Sequence, residues 1–191
     1  TKPYNLPMVM VRVDAAIRKR KLADPYATGQ ELMFDVASTD ALTGLRNRPY
    51  FLLRFDEEVD KAHRYDYPVS CAVFDLDDVK ALDDELGPAP VDDLLAEIAM
   101  SLRTFTRNND VLARYDGTVL AVLLPHTPLE DAINYASKML SEVGNTTYSA
   151  PCYPTRARLS AGVATCQNGS ARGAEFVLGE AMRGLLQAKS L

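Results

Sequence analysis

Apolar residues recur at helical spacing in several stretches of the chain, with short runs of continuous apolar character between them. Leu6, Met10, Val13 and Ile17 mark a first helix that ends in the basic run Arg18-Lys19-Arg20-Lys21. Asp24-Pro25 interrupts this pattern, because the residue before proline is pushed out of the helical region. A second helix is predicted from near Gln30 to Ala37, and residues 22–38 read as a linker. From residue 39 the chain alternates helix and strand. Phe51, Leu52, Phe55, Val59 and Ala62 fall on one side of a helix from Pro49 to about Arg64. The run Val69-Ser70-Cys71-Ala72-Val73-Phe74 suits a strand buried on both faces. Leu94, Ile98, Leu102 and Phe105 form a stripe between Val91 and Phe105. Asp116-Gly117, between the runs Val111 to Tyr115 and Val119 to Leu124, predicts a β-hairpin. Thr127, with Pro128 next and Glu130 at capping-box spacing, predicts the start of a helix carrying Ala132, Tyr135, Ala136, Met139 and Val143. A strand from Arg158 to Ala164 and a helix from Glu175 to Lys189 complete the order. This succession predicts an α/β sandwich: a central mixed β-sheet flanked by helices.

Composition narrows the class more than the function. With 191 residues the chain can fill one domain and carry an additional segment. A net charge of −5 argues against a general nucleic-acid binder. The basic run at residues 18–21 is accounted for by the dipole of the helix it closes. Cys71, Cys152 and Cys166 are odd in number and lack CxxC spacing, which predicts neither a disulfide framework nor a zinc site and favours the cytoplasm. No apolar run approaches the roughly 20 residues of a membrane span, and no signal peptide is visible. Thr1, rather than Met, opens the sequence and leaves room for an upstream domain. His63 and His126 stand apart, with no acid or cysteine at ligand spacing, and read as surface or cap residues.

The chemistry concentrates where the buried strand ends, at Asp75-Leu76-Asp77-Asp78-Val79-Lys80. Ligands of open α/β sheets bind in the crevice beyond the strand ends, and carboxylates there can hold magnesium with a substrate phosphate. For Asp77 or Asp78 taken alone, a solvated acidic turn is the favoured account. Asp75 differs because it follows directly on the apolar strand.

Taken in order, several segments resemble the GGDEF domain of diguanylate cyclases over residues 38–189. Asp40-Ala41-Leu42-Thr43-Gly44-Leu45 with Asn47-Arg48 looks like the family's entry motif. Phe74-Asp75-Leu76-Asp77 matches its metal-binding strand, and Lys80 its phosphate-contacting lysine. Arg114-Tyr115 precedes the signature loop, Ser160-Ala161-Gly162-Val163-Ala164 matches the late strand, and Ala188-Lys189 closes the last helix. The resemblance implies the GGDEF-type sandwich, with the hairpin at the signature loop, as residues 39–191.

It also implies departures. An active member holds two magnesium ions between the strand aspartate and the third residue of the loop. Here Asp75 is kept and Thr118 stands at the second position, followed by Val119 and Leu120. A hydroxyl does not replace a carboxylate beside a triphosphate. Asp116 replaces the first glycine and only Gly117 remains. Asp83 takes the place of the base-reading asparagine, while Asp92 is retained as the second reader. Pro88, Val91 and Ala181-Met182 depart as well. The expectation is a domain without cyclase activity, with Asp75, Lys80, Asp83, Asp92, Arg114, Asp116, Gly117, Thr118 and Lys189 as remnants of the site. No metal is expected, and Asp75 is the sole weak candidate for one.

Arg107-Asn108-Asn109-Asp110 is separated from Asp116 by Val111 to Tyr115, the register of the family's inhibitory RxxD site for cyclic di-GMP. A guanidinium can fork onto a phosphate or onto guanine's Hoogsteen edge, while a carboxylate accepts from guanine's nitrogens. Lys138 falls where the family has a supporting arginine and keeps the charge without the planar fork. Thr1-Lys2-Pro3 and the helix to Lys21 resemble the end of a response-regulator receiver domain; an arbitrary linker helix accounts for them too. Two readings of function follow. One is a bacterial signalling receptor binding cyclic di-GMP at Arg107, Asp110 and Lys138, with no other cofactor. The other is a nucleotide-free protein-interaction module of a response regulator. Either would have a signalling protein partner, and pairing into a homodimer would depend on upstream segments.

Overall fold

The computed structural model describes residues 37–149, 155–166 and 173–190. The chain divides into compact units Thr1–Ser38 and Thr39–Leu191. The helices expected at residues 6–21 and 30–37, the basic run and Cys152 lie, Ala37 apart, outside the described residues.

In the second unit the elements run β1 (Arg46–Asn47), α1 (Arg48–Tyr65), β2 (Val69–Leu76), α2 (Val79–Leu86), α3 (Pro88–Phe105), β3 (Val111–Asp116) and β4 (Val119–Pro125). They continue with α4 (Leu129–Asn145), β5 (Thr147–Tyr148), β6 (Thr155–Arg156), β7 (Leu159–Cys166) and α5 (Ala174–Ala188). Among the described residues the central sheet has five strands in the order β1-β3-β4-β2-β7, and β5 and β6 pair separately. It is mixed: β1 lies parallel to β3, whereas β3 with β4, β4 with β2, and β2 with β7 are antiparallel.

β2 is central and buried along its length apart from Asp75. Its side chains alternate as the pleat requires. Ala72, Phe74 and Leu76 join the core under α3 and α4, with Leu94, Ile98, Leu102, Ala136 and Met139. Val69, Cys71 and Val73 join the core under α1 and α5, with Phe51, Phe55, Val177 and Leu185. β4 divides in the same way, with Leu120 and Val122 on the first face and Ala121 and Leu123 on the second. The predicted stripes of α1, α3 and α4 are the buried ones, with Leu52, Phe105 and Tyr135 at their partly buried margins.

Local chemistry sets the boundaries. The Asn47 side chain accepts the Tyr50 N–H at 3.1 Å and caps α1. Asp40 does the same for the loop before β1, its carboxylate taking the Thr43 N–H at 2.9 Å and the Thr43 hydroxyl at 2.8 Å. Gly44, at φ +67°, lets that loop turn.

Three sequence expectations are corrected here. The acid-rich stretch after β2 forms a helix of its own, α2, and α3 begins three residues earlier than its apolar stripe, at Pro88. The hairpin turns one residue later than expected. Asp116 still pairs with Val119, a bulge lies between Arg114 and Asp116, and Gly117 takes the left-handed position at φ +46°. Thr127 does not cap α4, because its polar groups are committed elsewhere. Its N–H donates to Pro68 O, its carbonyl accepts the buried Ser70 hydroxyl at 2.7 Å, and its own hydroxyl turns back to Pro125 O. Pro128 holds the cap position without a side-chain bond.

Gly162 on β7 faces α5 with no space for a side chain. A Cβ there would lie 2.0 Å from Ala181 O and 2.3 Å from Leu185 N, both backbone atoms. Gly162→Ala must therefore push α5 off the sheet. The expected loss is about 3 kcal/mol or more in urea unfolding, at the upper end of overpacking costs.

Candidate functional site

The crevice at the end of β2 is built from three elements. Asp75 is the last but one residue of β2, set opposite Val119 of β4 and Ser160 of β7. Its carboxylate is occupied on both sides. Thr118 of the hairpin donates its hydroxyl to Oδ1 at 2.6 Å, and Lys189, at the C-terminal cap of α5, brings its ammonium to 2.6 Å from Oδ2. The same ammonium donates to Leu76 O at 3.0 Å and lies 3.7 Å from Asp77 Oδ1. Asp77 also accepts the Ser160 hydroxyl at 2.9 Å. Asp78, in the left-handed region at φ 56°, pairs with Arg158 at the surface.

Magnesium, which the fold resemblance implies at this place, asks for several oxygens in near-octahedral array. The donor set does not fit a pair of such ions: one inner carboxylate faces a hydroxyl, and Asp75 Oδ2 and the Leu76 carbonyl already serve an ammonium. Among the described residues no group of three His, Cys, Asp or Glu side chains is placed to hold a metal.

Arg114 braces the hairpin from β3. Its Nε donates to Gly117 O at 2.8 Å, and its guanidinium reaches the Asp40 carboxylate at 3.3 Å. Burial alone would raise the Asp40 pKa, but the two Thr43 bonds and the Arg114 charge together hold it below the usual carboxylate value. Arg48 lies over the Tyr115 ring at 4.6 Å. The entry loop and the signature hairpin are thus tied by charge, a link that a sequence motif does not show. Lys80, Asp83, Asp92 and Asp116 are exposed, and the crevice bonds described above do not involve them.

A second polar centre lies at the other end of β3. The Asp110 carboxylate accepts the Arg107 N–H at 2.9 Å, and the Asp110 N–H donates to Arg107 O at 3.1 Å, closing a tight turn. The Arg107 side chain is exposed. Burial pushes the Asp110 carboxyl above its ordinary value, against the lowering effect of the Arg107 N–H and charge. α4 meets the end of α3, just before this turn, through two residues. Lys138 Nζ sits 5.0 Å from the centre of the Phe105 ring, and the Tyr135 hydroxyl lies 3.1 Å from Thr106 Oγ1. Burial raises the Tyr135 pKa, Thr106 opposes this, and the Asp110 charge adds to the rise, so the group stays a neutral phenol. Phe105 and Tyr135 were legible only as core positions.

His63 and His126 are exposed, as expected of surface residues, and Cys71 lies in the core. His126 adopts φ 52° and stacks on Tyr67 with ring centres 3.8 Å apart. His63 Nε2 lies 3.5 Å from Cys166 Sγ, a proximity created by the fold and absent from the sequence spacing. Cys71 is a free thiol, and burial pushes its pKa far up.

The model of the family described as "Diguanylate cyclase, GGDEF domain" matches residues 37–191. The diguanylate cyclase DgcP of Pseudomonas aeruginosa is 33% identical over 184 residues, covering 96% of this chain and 27% of that protein. The response regulator PleD of Caulobacter vibrioides is 30% identical over 149 residues, covering 78% of this chain and 33% of PleD. The chain therefore spans about a third or less of these curated relatives. The crystal structure of the P. aeruginosa diguanylate cyclase SiaD, in complex with its activator SiaC, superposes with a TM-score of 0.75 at 27% identity. That match covers 97% of this chain and 74% of SiaD. These findings correct the expectation that the chain is no enzyme. DgcP and SiaD, which it matches, are named diguanylate cyclases, and the substitutions at Thr118, Asp83 and Asp116 are differences in the site's donor set within that family.

The raised pKa of Asp110 has a consequence for stability. Because the folded value lies above the unfolded one, the ionised carboxylate weakens the fold at neutral pH, and this cost disappears as pH falls through the folded and then the unfolded value. An amide removes the charge and keeps an acceptor for the Arg107 N–H. Asp110→Asn is expected to match or exceed wild-type stability in urea at pH 7; a loss above about 1 kcal/mol contradicts this reading.

Proposed function

Because the chain belongs to the diguanylate cyclase GGDEF-domain family, we propose that it serves bacterial signalling by binding cyclic di-GMP at the Arg107–Asp110 turn. The observation that carries this reading is that turn itself. Its backbone is closed by the Asp110 carboxylate, its guanidinium is exposed, and a lysine from another helix lies over Phe105, two residues before Arg107. Arg107 would fork onto a phosphate or the guanine Hoogsteen edge, and Asp110 would accept from guanine's N–H groups. Lys138 would add a mobile point charge for phosphate. The Phe105 ring, which now neighbours that charge, would bound the site on its apolar side.

We place the action in the cytoplasm, where the free thiol of Cys71 stays reduced. A protein partner would read the occupied turn; the similar SiaD is found in complex with a protein, its activator SiaC. Residues 1–21 would close an upstream receiver domain and residues 22–38 would link it to this domain, with a homodimer forming through the upstream segments.

Calorimetric titration with cyclic di-GMP tests the proposal. Wild type should bind, and Arg107→Ala should weaken binding by about 10-fold or more, the scale of a lost charge-assisted bond. Lys138→Arg, which restores the fork, should tighten binding several-fold. Absence of heat with wild type, or equal affinity in Arg107→Ala, sinks the receptor reading.

A further inference from the structure

The crevice at the end of β2 poses a separate question, independent of the Arg107–Asp110 reading. We propose that Lys189 is the resident cation of this crevice, its ammonium holding the place at Asp75 that a divalent ion would take, so that divalent binding requires Lys189 to leave.

The geometry is that of a seated cation. Three oxygens surround the ammonium: Asp75 Oδ2 at 2.6 Å, the Leu76 carbonyl at 3.0 Å and Asp77 Oδ1 at 3.7 Å. They come from two carboxylates and one backbone carbonyl, which are also the oxygen types that magnesium selects. The pair is sheltered, with 29% of the Lys189 side chain and 18% of the Asp75 side chain exposed, so solvent screens it less than a surface bridge.

Lys189 is also delivered rather than adventitious. It caps α5, whose Ala181 and Leu185 are buried against the sheet, and the close approach of Gly162 fixes how α5 lies on β7. A tethered ammonium is present at a high effective concentration, whereas a solution ion must compete for the same oxygens. Thr118 completes the arrangement, because its hydroxyl engages Asp75 Oδ1 without adding a charge that a second cation could use. Asp75 and Lys189 therefore neutralise each other. An incoming divalent ion meets both an occupied carboxylate and a positive charge a few ångströms away.

The test uses manganese ion as the probe, on the full chain without nucleotide, with binding read from proton relaxation and from paramagnetic broadening of assigned amide resonances. In wild type, Mn²⁺ should bind weakly and leave the Asp75, Leu76 and Asp77 amides sharp at concentrations that broaden them in the variant. Lys189→Met keeps the apolar stem and should bind Mn²⁺ about tenfold more tightly or better, the scale expected when a unit charge is removed beside a half-buried site. Adding Asp75→Asn to that variant should abolish the gain. Lys189→Arg retains the charge and should behave as wild type. If Lys189→Met does not fold, Lys189→Gln carries the same expectation, and the wild-type titration stands by itself. Wild-type binding as tight as in the variant, or a gain that survives Asp75→Asn, overturns the proposal.

Discussion

The structure depends on β2, a strand that is buried on both faces and hydrogen-bonded on both edges. A strand in this position leaves its backbone no alternative partners, since an unpaired buried N–H or C=O costs as much as a lost hydrogen bond. Its register therefore fixes β4 on one side and β7 on the other, from Val69 to Asp75 in both ladders. Alternation then assigns Phe74 and Leu76 to the face under α3 and α4, and Cys71 and Val73 to the face under α1 and α5. A one-residue slip would exchange these two sets and break both cores at once. Asp75 is half-buried at the functional end because the same alternation carries it there, and Thr118, Ser160 and Lys189 arrive from the neighbours that β2 aligns.

That logic explains which parts of the fold could be read from sequence. Val69 to Phe74 announced itself as a doubly buried strand because it contains almost nothing polar, and the stripes on α1, α3 and α4 followed from helical spacing. Ser70 is the one polar residue in that run, and it reveals the limit of the reading. Its hydroxyl, fully buried, donates to Thr127 O and lies 2.6 Å from Thr165 Oγ1, and those partners are distant in sequence. The capping prediction at Thr127 failed for this reason: local chemistry favoured a cap, and a tertiary bond claimed the residue first. α2 was missed because its acids outweigh its apolar positions, and its tie to the fold lies in the Asp78–Arg158 pair and the Leu82 packing.

The site was legible as residue types and not as pairings. Asp75, Lys189, Thr118 and Arg114 could each be marked by motif. That Lys189 and Thr118 share Asp75, or that Arg114 reaches Asp40, depends on contacts across the whole sheet. Substitutions read as losses become replacements once these contacts are seen. A hydroxyl and an ammonium satisfy the carboxylate, so the strand end is not left with an uncompensated buried charge. The inference from substitution to absence of enzymatic function went further than the residues allow, because it treated each position against a pattern and not against its neighbours.

The two ends of β3 differ in how completely the protein satisfies its own charges. At the hairpin end, Arg114 serves Gly117 and Asp40, and Asp75 is shared by two donors. At the other end, Asp110 gains one backbone N–H against a burial penalty that raises its pKa, and Arg107 extends to solvent. Selection for stability alone would favour an amide here, which lacks the desolvated charge and offers an acceptor to the same N–H. Local cost that the fold does not recover is the physical mark expected of groups held for an external ligand. The hairpin end is closed by internal partners that a ligand must displace, whereas the Arg107–Asp110 end presents an unspent guanidinium and a destabilised carboxylate. On the reading proposed above, a dinucleotide carrying phosphates and guanine edges would engage both of these groups.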